Sequence, residues 1–220
     1  MARSTNKRIV KEHLILCEGR DAEEFLISYL NSNALSEKPF FSNDIQVMDF
    51  GGNENLLNYL LLLKNMDGFS SVQSILIIRD AERDAHAAVQ QISSALESVD
   101  LSIPSEPGLW TDVSPRIGFL LFPTCDASLK NGTLEDLCLS ILSEPDNAPV
   151  CRDICGFIEH LKTAYNRKFP HEFKSMLHSY FSVTDSYVAL KIGEAAKAGA
   201  FNWTSPHLNF LRDTIEKASC

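Results

Sequence analysis

Apolar positions along this chain follow two rhythms. Four short runs are nearly unbroken: residues 13–17 (HLILC), 45–50 (IQVMDF), 74–80 (SILIIRD) and 116–122 (RIGFLLF). Continuous runs of this length, bounded by turn residues, predict strands buried on both faces, as in parallel sheets. Between the runs, apolar residues recur at helical spacing. Phe25, Leu26, Tyr29 and Leu30 mark a helix over 22–31, and Val89, Ile92 and Leu96 mark one over 85–99. A helix beginning at Asn53 carries Leu56, Leu57, Tyr59, Leu60 and Leu61, and its near-continuous leucines predict burial on more than one side. The alternation is the βαβ pattern, so the expected fold is α/β: a Rossmann-like parallel sheet flanked by helices, with right-handed crossovers. Strands at 14–17, 45–49, 75–79 and 117–122 should share one sheet, with the first and third adjacent.

Residues 101–115 contain Pro104, Pro107, Gly108 and Pro115 and read as a loop. Beyond residue 125 the pattern turns helical, over 134–142, 151–165, 172–181, 185–198 and 207–217, separated by Pro145, Pro149, Pro170 and Pro206. This divides the chain into an α/β domain at 1–125 and a helical C-terminal extension at 126–220, expected to pack on the sheet edge. Phe157, Tyr165, Phe169, Phe173, Tyr180 and Phe181 are expected in the core rather than as a base-stacking platform.

Composition narrows the classes. At 220 residues and 45% hydrophobic content the chain can bury a sizeable core. A net charge of -9 argues against nonspecific coating of nucleic acid, which needs a basic face, but not against an acidic site neutralised by metal. The six cysteines form no CxxC pair, which excludes a zinc ribbon and a thioredoxin-like motif. Cys151 and Cys155 lie one turn apart with no histidine at ligand spacing, and read as packing. No apolar segment reaches the ~20 residues of a membrane span, and the N-terminus has no signal-peptide core, so no membrane partner and a reducing, cytoplasmic setting are expected.

The candidate chemistry lies where two strands end. The third strand runs straight into Asp80, Ala81, Glu82, Arg83 and Asp84, and open α/β sheets bind ligands at the carboxyl ends of their strands. Three carboxylates so close together repel one another, and a divalent cation between them is one physical remedy. The other reading is an acidic first helical turn favoured by the helix dipole. The first strand ends in Glu18-Gly19, so Glu18 converges on Asp80 if the strands are neighbours. Gly19 suits a tight strand-to-helix turn, and Asp21 is placed to cap or start the next helix. Gly51-Gly52 lets the backbone approach a ligand or a neighbouring loop closely, and reads more readily as a turn that needs no ligand. Thr133-Leu134-Glu135-Asp136 reads either as a capped helix start or as further metal ligands, and Lys130 and Arg79 either meet phosphates or pair with local acids. His86, His171 and His178 read as surface or capping residues.

Taken together, strand–Glu18-Gly19–helix, Gly51-Gly52 and strand–Asp80-x-Glu82 resemble the Toprim domain shared by topoisomerases, bacterial primases and overcoming-lysogenization-defect nucleases. The run 117–123 followed by Gly132-Thr133-Leu134-Glu135-Asp136-Leu137 is similar to small stand-alone Toprim-like proteins of the DUF3226 family. The resemblance covers about residues 14 to 142, with a weaker echo at 191–209. It implies a Toprim-like sheet, with Glu18 in acid/base work or metal ligation and Asp80 and Glu82 holding Mg²⁺ or Mn²⁺. Glu82 stands where the usual pattern has Asp, and Asp126 stands near a place the pattern gives to an acid. Asp84 extends the metal set, while Asp21, Asp126, Lys130, Glu135 and Asp136 are candidates for a second metal or for phosphate contacts. The expected function is Mg²⁺-dependent phosphodiester chemistry on DNA or RNA, as in a small nuclease. The alternative is an inactive module of the same fold that binds nucleotide, nucleic-acid ends, a protein partner or a second copy of itself.

Overall fold

A four-stranded parallel sheet organises the chain, built from β1 (His13–Cys17), β2 (Ile45–Asp49), β3 (Ser74–Asp80) and β4 (Arg116–Phe122) in the order β2-β1-β3-β4. The computed structural model describes residues 8–32, 44–125, 128–144 and 147–219. All three pairings are parallel, and β1 lies beside β3 with Cys17 opposite Ile78, as expected. The helices are α1 (Arg20–Leu30), α2 (Leu56–Lys64), α3 (Ala85–Glu97), α4 (Leu134–Leu142), α5 (Ala148–Tyr165), α6 (Glu172–Ser182), α7 (Ile192–Lys197) and α8 (Asn209–Glu216). The fold is α/β, and among the described residues no helix is long and apolar enough to cross a membrane.

The two-residue period of the strands sorts their side chains into two cores. Leu14, Leu16, Ile75, Ile77, Phe119 and Leu121 meet Leu60 and Leu63 of α2 and Ile92 and Leu96 of α3. On the other face, Ile15, Cys17, Leu76, Ile78, Leu120 and Phe122 share one cluster with α1 and with all five C-terminal helices. The C-terminal helices therefore cover a whole face together with α1, rather than the edge alone. The reason is hydrophobic: each helix of that region has only one apolar stripe, and the sheet offers a second unfilled face.

Four further expectations meet a different structure. In α2 only Leu56, Leu60 and Leu63 are buried, whereas Leu57, Leu61 and Leu62 are exposed, so the helix is one-sided despite its leucines. Tyr180 and Phe181 enter the core, but Phe157, Tyr165 and Phe173 are exposed. Helix appears only at Ile192–Lys197 within 185–198. Pro149 does not separate helices but sits in the first turn of α5, where its missing amide is tolerated.

Near the chain's end, α7 packs closely on α1. A Cβ on Gly193 would lie 2.6 Å from the Cβ of Glu24, so only glycine permits this approach. The Gly193 amide donates to Asp21 Oδ1 at 3.1 Å. Beside this seam Phe25 meets Phe201 and Trp203 edge-on, with ring centroids 5.4 and 5.1 Å apart.

Candidate functional site

The pleat sends Arg79 and Asp80 to opposite faces of the sheet at its carboxyl edge, where β1 and β3 both end. Glu18 follows β1 in the same register, its amide donating to the Ile78 carbonyl at 3.1 Å. Arg79 turns toward α3 and is 1% exposed. Its Nη1 donates to Gln91 Oε1 at 2.8 Å, and its Nε lies 3.6 Å from Glu18 Oε2. Of the two roles open to Arg79 in the sequence, the structure selects pairing with a local acid. Asp80 turns toward α4, where its Oδ1 accepts from the Leu134 amide at 2.9 Å. That contact places Asp80 at the positive end of a helix. Burial nevertheless pushes the Asp80 carboxyl up to about 8, aided by the charges of Glu18, Glu135 and Glu82 and opposed by the Leu134 amide.

The loop after β3 is fixed by the loop before α4. Glu82 has φ of 55° and exchanges two backbone hydrogen bonds with Gly132, both at 2.8 Å. Gly132 itself has φ of 140°, and a Cβ there would lie 2.9 Å from Pro123 Cγ. Asn131 closes the same junction, donating to the Arg83 carbonyl at 2.7 Å and accepting from the Ala85 amide at 3.0 Å. Asp80, Glu82, Glu135 and Asp136 thereby line one cleft of about 610 Å³, whose far wall is Pro170 to Lys174 at the start of α6. Lys174 Nζ reaches Glu135 Oε1 at 3.9 Å across it.

The remaining sequence candidates have other positions. Asp84 is the N-cap of α3, its carboxylate accepting from the Ala87 amide at 3.0 Å, and its exposed side chain serves the helix. Asp21 does not cap α1; the N-cap is Gly19, at φ of 84°, and Asp21 binds the Gly193 amide. Asp136 Oδ2 accepts from both the amide and the hydroxyl of Thr133 at 2.9 Å, so the helix-start reading of that motif describes its bonding. Burial raises the Asp136 carboxyl, while the two Thr133 bonds lower it. Lys130 is exposed on an adjoining cleft, His86 is exposed on α3, and Asp126 lies outside the described residues. The Gly51 turn is held by Asp49, whose Oδ1 accepts from the amides of Gly19 and Gly51 at 2.9 and 2.6 Å. Asp49, Gln91 and Asn131 escaped the sequence reading because nothing in their spacing marks a partner so distant in the chain. Among the described residues, no three His, Cys, Asp or Glu side chains gather into a ready-made ion site.

Comparison with known families gives one assignment. The family model described as protein of unknown function (DUF3226) matches residues 12–217, and the chain belongs to that family. No curated protein matches the chain. No solved structure matches it either.

Proposed function

We propose that this protein carries out Mg²⁺- or Mn²⁺-dependent phosphodiester hydrolysis on nucleic acid, with Asp80 at the centre of the site and a Toprim-like division of labour among its acids. The observation that carries this reading is the state of Asp80: a carboxyl at the sheet's carboxyl edge, among the charges of Glu18, Glu135 and Glu82, with its pKa near 8. A divalent cation supplies the missing counter-charge. The donor set suits Mg²⁺, which takes one or two carboxylates and keeps several waters. Asp80 and Glu82 would hold the ion on the cleft side, with Glu135 at its margin. When bound, the ion polarises a phosphoryl oxygen and lowers the pKa of a bound water. In a Toprim-like division of labour Glu18 would manage the proton of the attacking water, from its pairing with Arg79 beside the residues that line the cleft. Because Asp80 must lose its proton to bind a cation, affinity should rise with pH up to about 8.

One observation favours a second reading, a non-catalytic module that binds nucleotide, a nucleic-acid end or a protein partner. Glu18 is engaged by Arg79. A single set of assays separates the two. Purified wild type, Glu18→Gln and Asp80→Asn are incubated with single-stranded, duplex and supercoiled DNA and with RNA, in Mg²⁺, Mn²⁺ or EDTA. Cleavage should require metal and vanish in both variants, and Mn²⁺ should raise the melting midpoint of wild type but not of Asp80→Asn. Cleavage that survives in EDTA or in Asp80→Asn overturns the proposal. Metal-dependent binding without cleavage of any substrate moves the conclusion to the binding module.

A further inference from the structure

Phe173 occupies a position that core packing does not explain. It lies in the first turn of α6 and is 49% exposed, while Tyr180 and Phe181 on the same helix are 5% and 1% exposed. It lines the Asp80 cleft and also a second cleft of about 880 Å³, which contains Lys130 and His207. Both clefts share Phe173 and Asp136, so they meet at this ring. Cations stand along this path among the carboxylates Asp80, Glu82, Glu135, Asp136, Glu172 and Asp213. Arg83 lines the first cleft and Lys130 the second, and Lys174 keeps 57% of its side chain in solvent beside Glu135.

We propose that the two clefts form one path for an unpaired nucleic-acid strand, with a base stacked on Phe173 and its phosphates met by Arg83, Lys174 and Lys130. The reading deepens the phosphodiester proposal by naming its substrate class, and it rests on that proposal for the reacting atoms alone. Each cleft falls in the range of about 300–1,000 Å³ typical of sites that enclose a small ligand. A half-exposed aromatic ring offers a stacking face that every base can use. Bases inside a duplex are stacked on one another and cannot turn a face to the ring, whereas single strands, ends and loops can. Three cations position phosphates, and they are too few to coat a duplex against the acidic remainder.

The test uses full-length Asp80→Asn protein, in which cleavage is blocked, and fluorescence anisotropy with labelled oligo-dT and oligo-U of about 10 nucleotides, a length within the usual site size of a single-strand binder. A hairpin duplex with as many base pairs is the comparison. One or both single strands should bind at least roughly ten-fold more tightly than the duplex, and the stronger of the two identifies DNA or RNA. Adding Phe173→Ala should weaken that binding roughly ten-fold or more, whereas Phe173→Trp should retain it. Phe173→Leu, which keeps apolar bulk without a stacking face, should behave like Phe173→Ala. Lys174→Ala should weaken binding to all sequences and make it less sensitive to salt. Equal affinity for duplex and single strand, unchanged affinity in Phe173→Ala, or no binding to any oligonucleotide overturns the proposal. Metal-dependent cleavage with an indifferent Phe173 removes only this inference. The stacking pattern without cleavage by wild type removes only the hydrolytic reading.

Discussion

Glu18 and Asp80 leave neighbouring strands at one edge of the sheet, yet their surroundings treat them in opposite ways. Glu18 faces a guanidinium that is itself buried and held by Gln91. Asp80 has the Leu134 amide as its hydrogen-bond donor and carboxylates as its charged neighbours. The pleat causes the difference. Arg79 and Asp80 are adjacent in sequence, so they must point to opposite faces, and the one cation of the strand end serves only one of the two acids. One carboxylate has its counter-charge built into the fold, and the other is buried among like charges that favour its protonated form.

The contrast can be broken most forcefully at Arg79. Arg79→Met removes the buried guanidinium from the part-buried Glu18 carboxylate and should destabilise the protein by about 3–5 kcal/mol. Urea denaturation measures the loss, and adding Glu18→Gln should restore part of it. A loss of under ~1 kcal/mol, the size of an ordinary substitution, would mean that the pair is not structural.

At Asp80 the sign reverses. Burial pushes the carboxyl of the folded chain up to about 8, from an ordinary value of 3.8 that the unfolded chain keeps. Below pH ~4 both states hold the proton, and between pH ~4 and ~8 only the unfolded chain releases it, so stability falls as pH rises through that window. In EDTA, Asp80→Asn should therefore match wild type near pH 4 and exceed it at pH 8 by on the order of a few kcal/mol. Thermal melts across the range check this, and curves that stay parallel would refute it. The smallest effect is expected at the rim. Glu135→Gln removes a pair of 3.9 Å to a lysine that is mostly in solvent, so stability should change by less than ~0.5 kcal/mol. The Asp80 titration, followed by carboxyl NMR, should still move down, by less than it does in Glu18→Gln, because Glu18 is the stronger of the two charges acting on Asp80.

The inner strands β1 and β3 and the strand β4 were the most legible part of the sequence, because a run buried on both faces is almost wholly apolar, whereas β2 at the sheet edge is only partly buried. The acidic edge was legible for the same reason, since strand ends locate it without further information. Which acid meets which cation was not legible, because Gln91 comes from a helix whose rotation about its axis the sequence does not state. Asp84 shows a different limit: an Asp before a helix serves equally as a ligand or an N-cap, and the Ala87 amide that bonds it is not visible in the sequence. In α2, leucine fills buried and exposed positions alike, so composition hid the one-sided spacing of Leu56, Leu60 and Leu63. Phe173 was misread because an aromatic at helical spacing looks the same whether it faces a core or a cleft.

The seam between α1 and α7 has a consequence for how the chain is made. Phe201 and Trp203, which cover Phe25, follow it in the chain by 176 and 178 residues. At translation speeds of ~5–20 residues per second, the covering residues follow on the order of ten seconds or more later. During that interval the first helix stands on the ribosome with an open apolar face. Until then Phe25 lacks the two rings that pack edge-on against it in the folded protein.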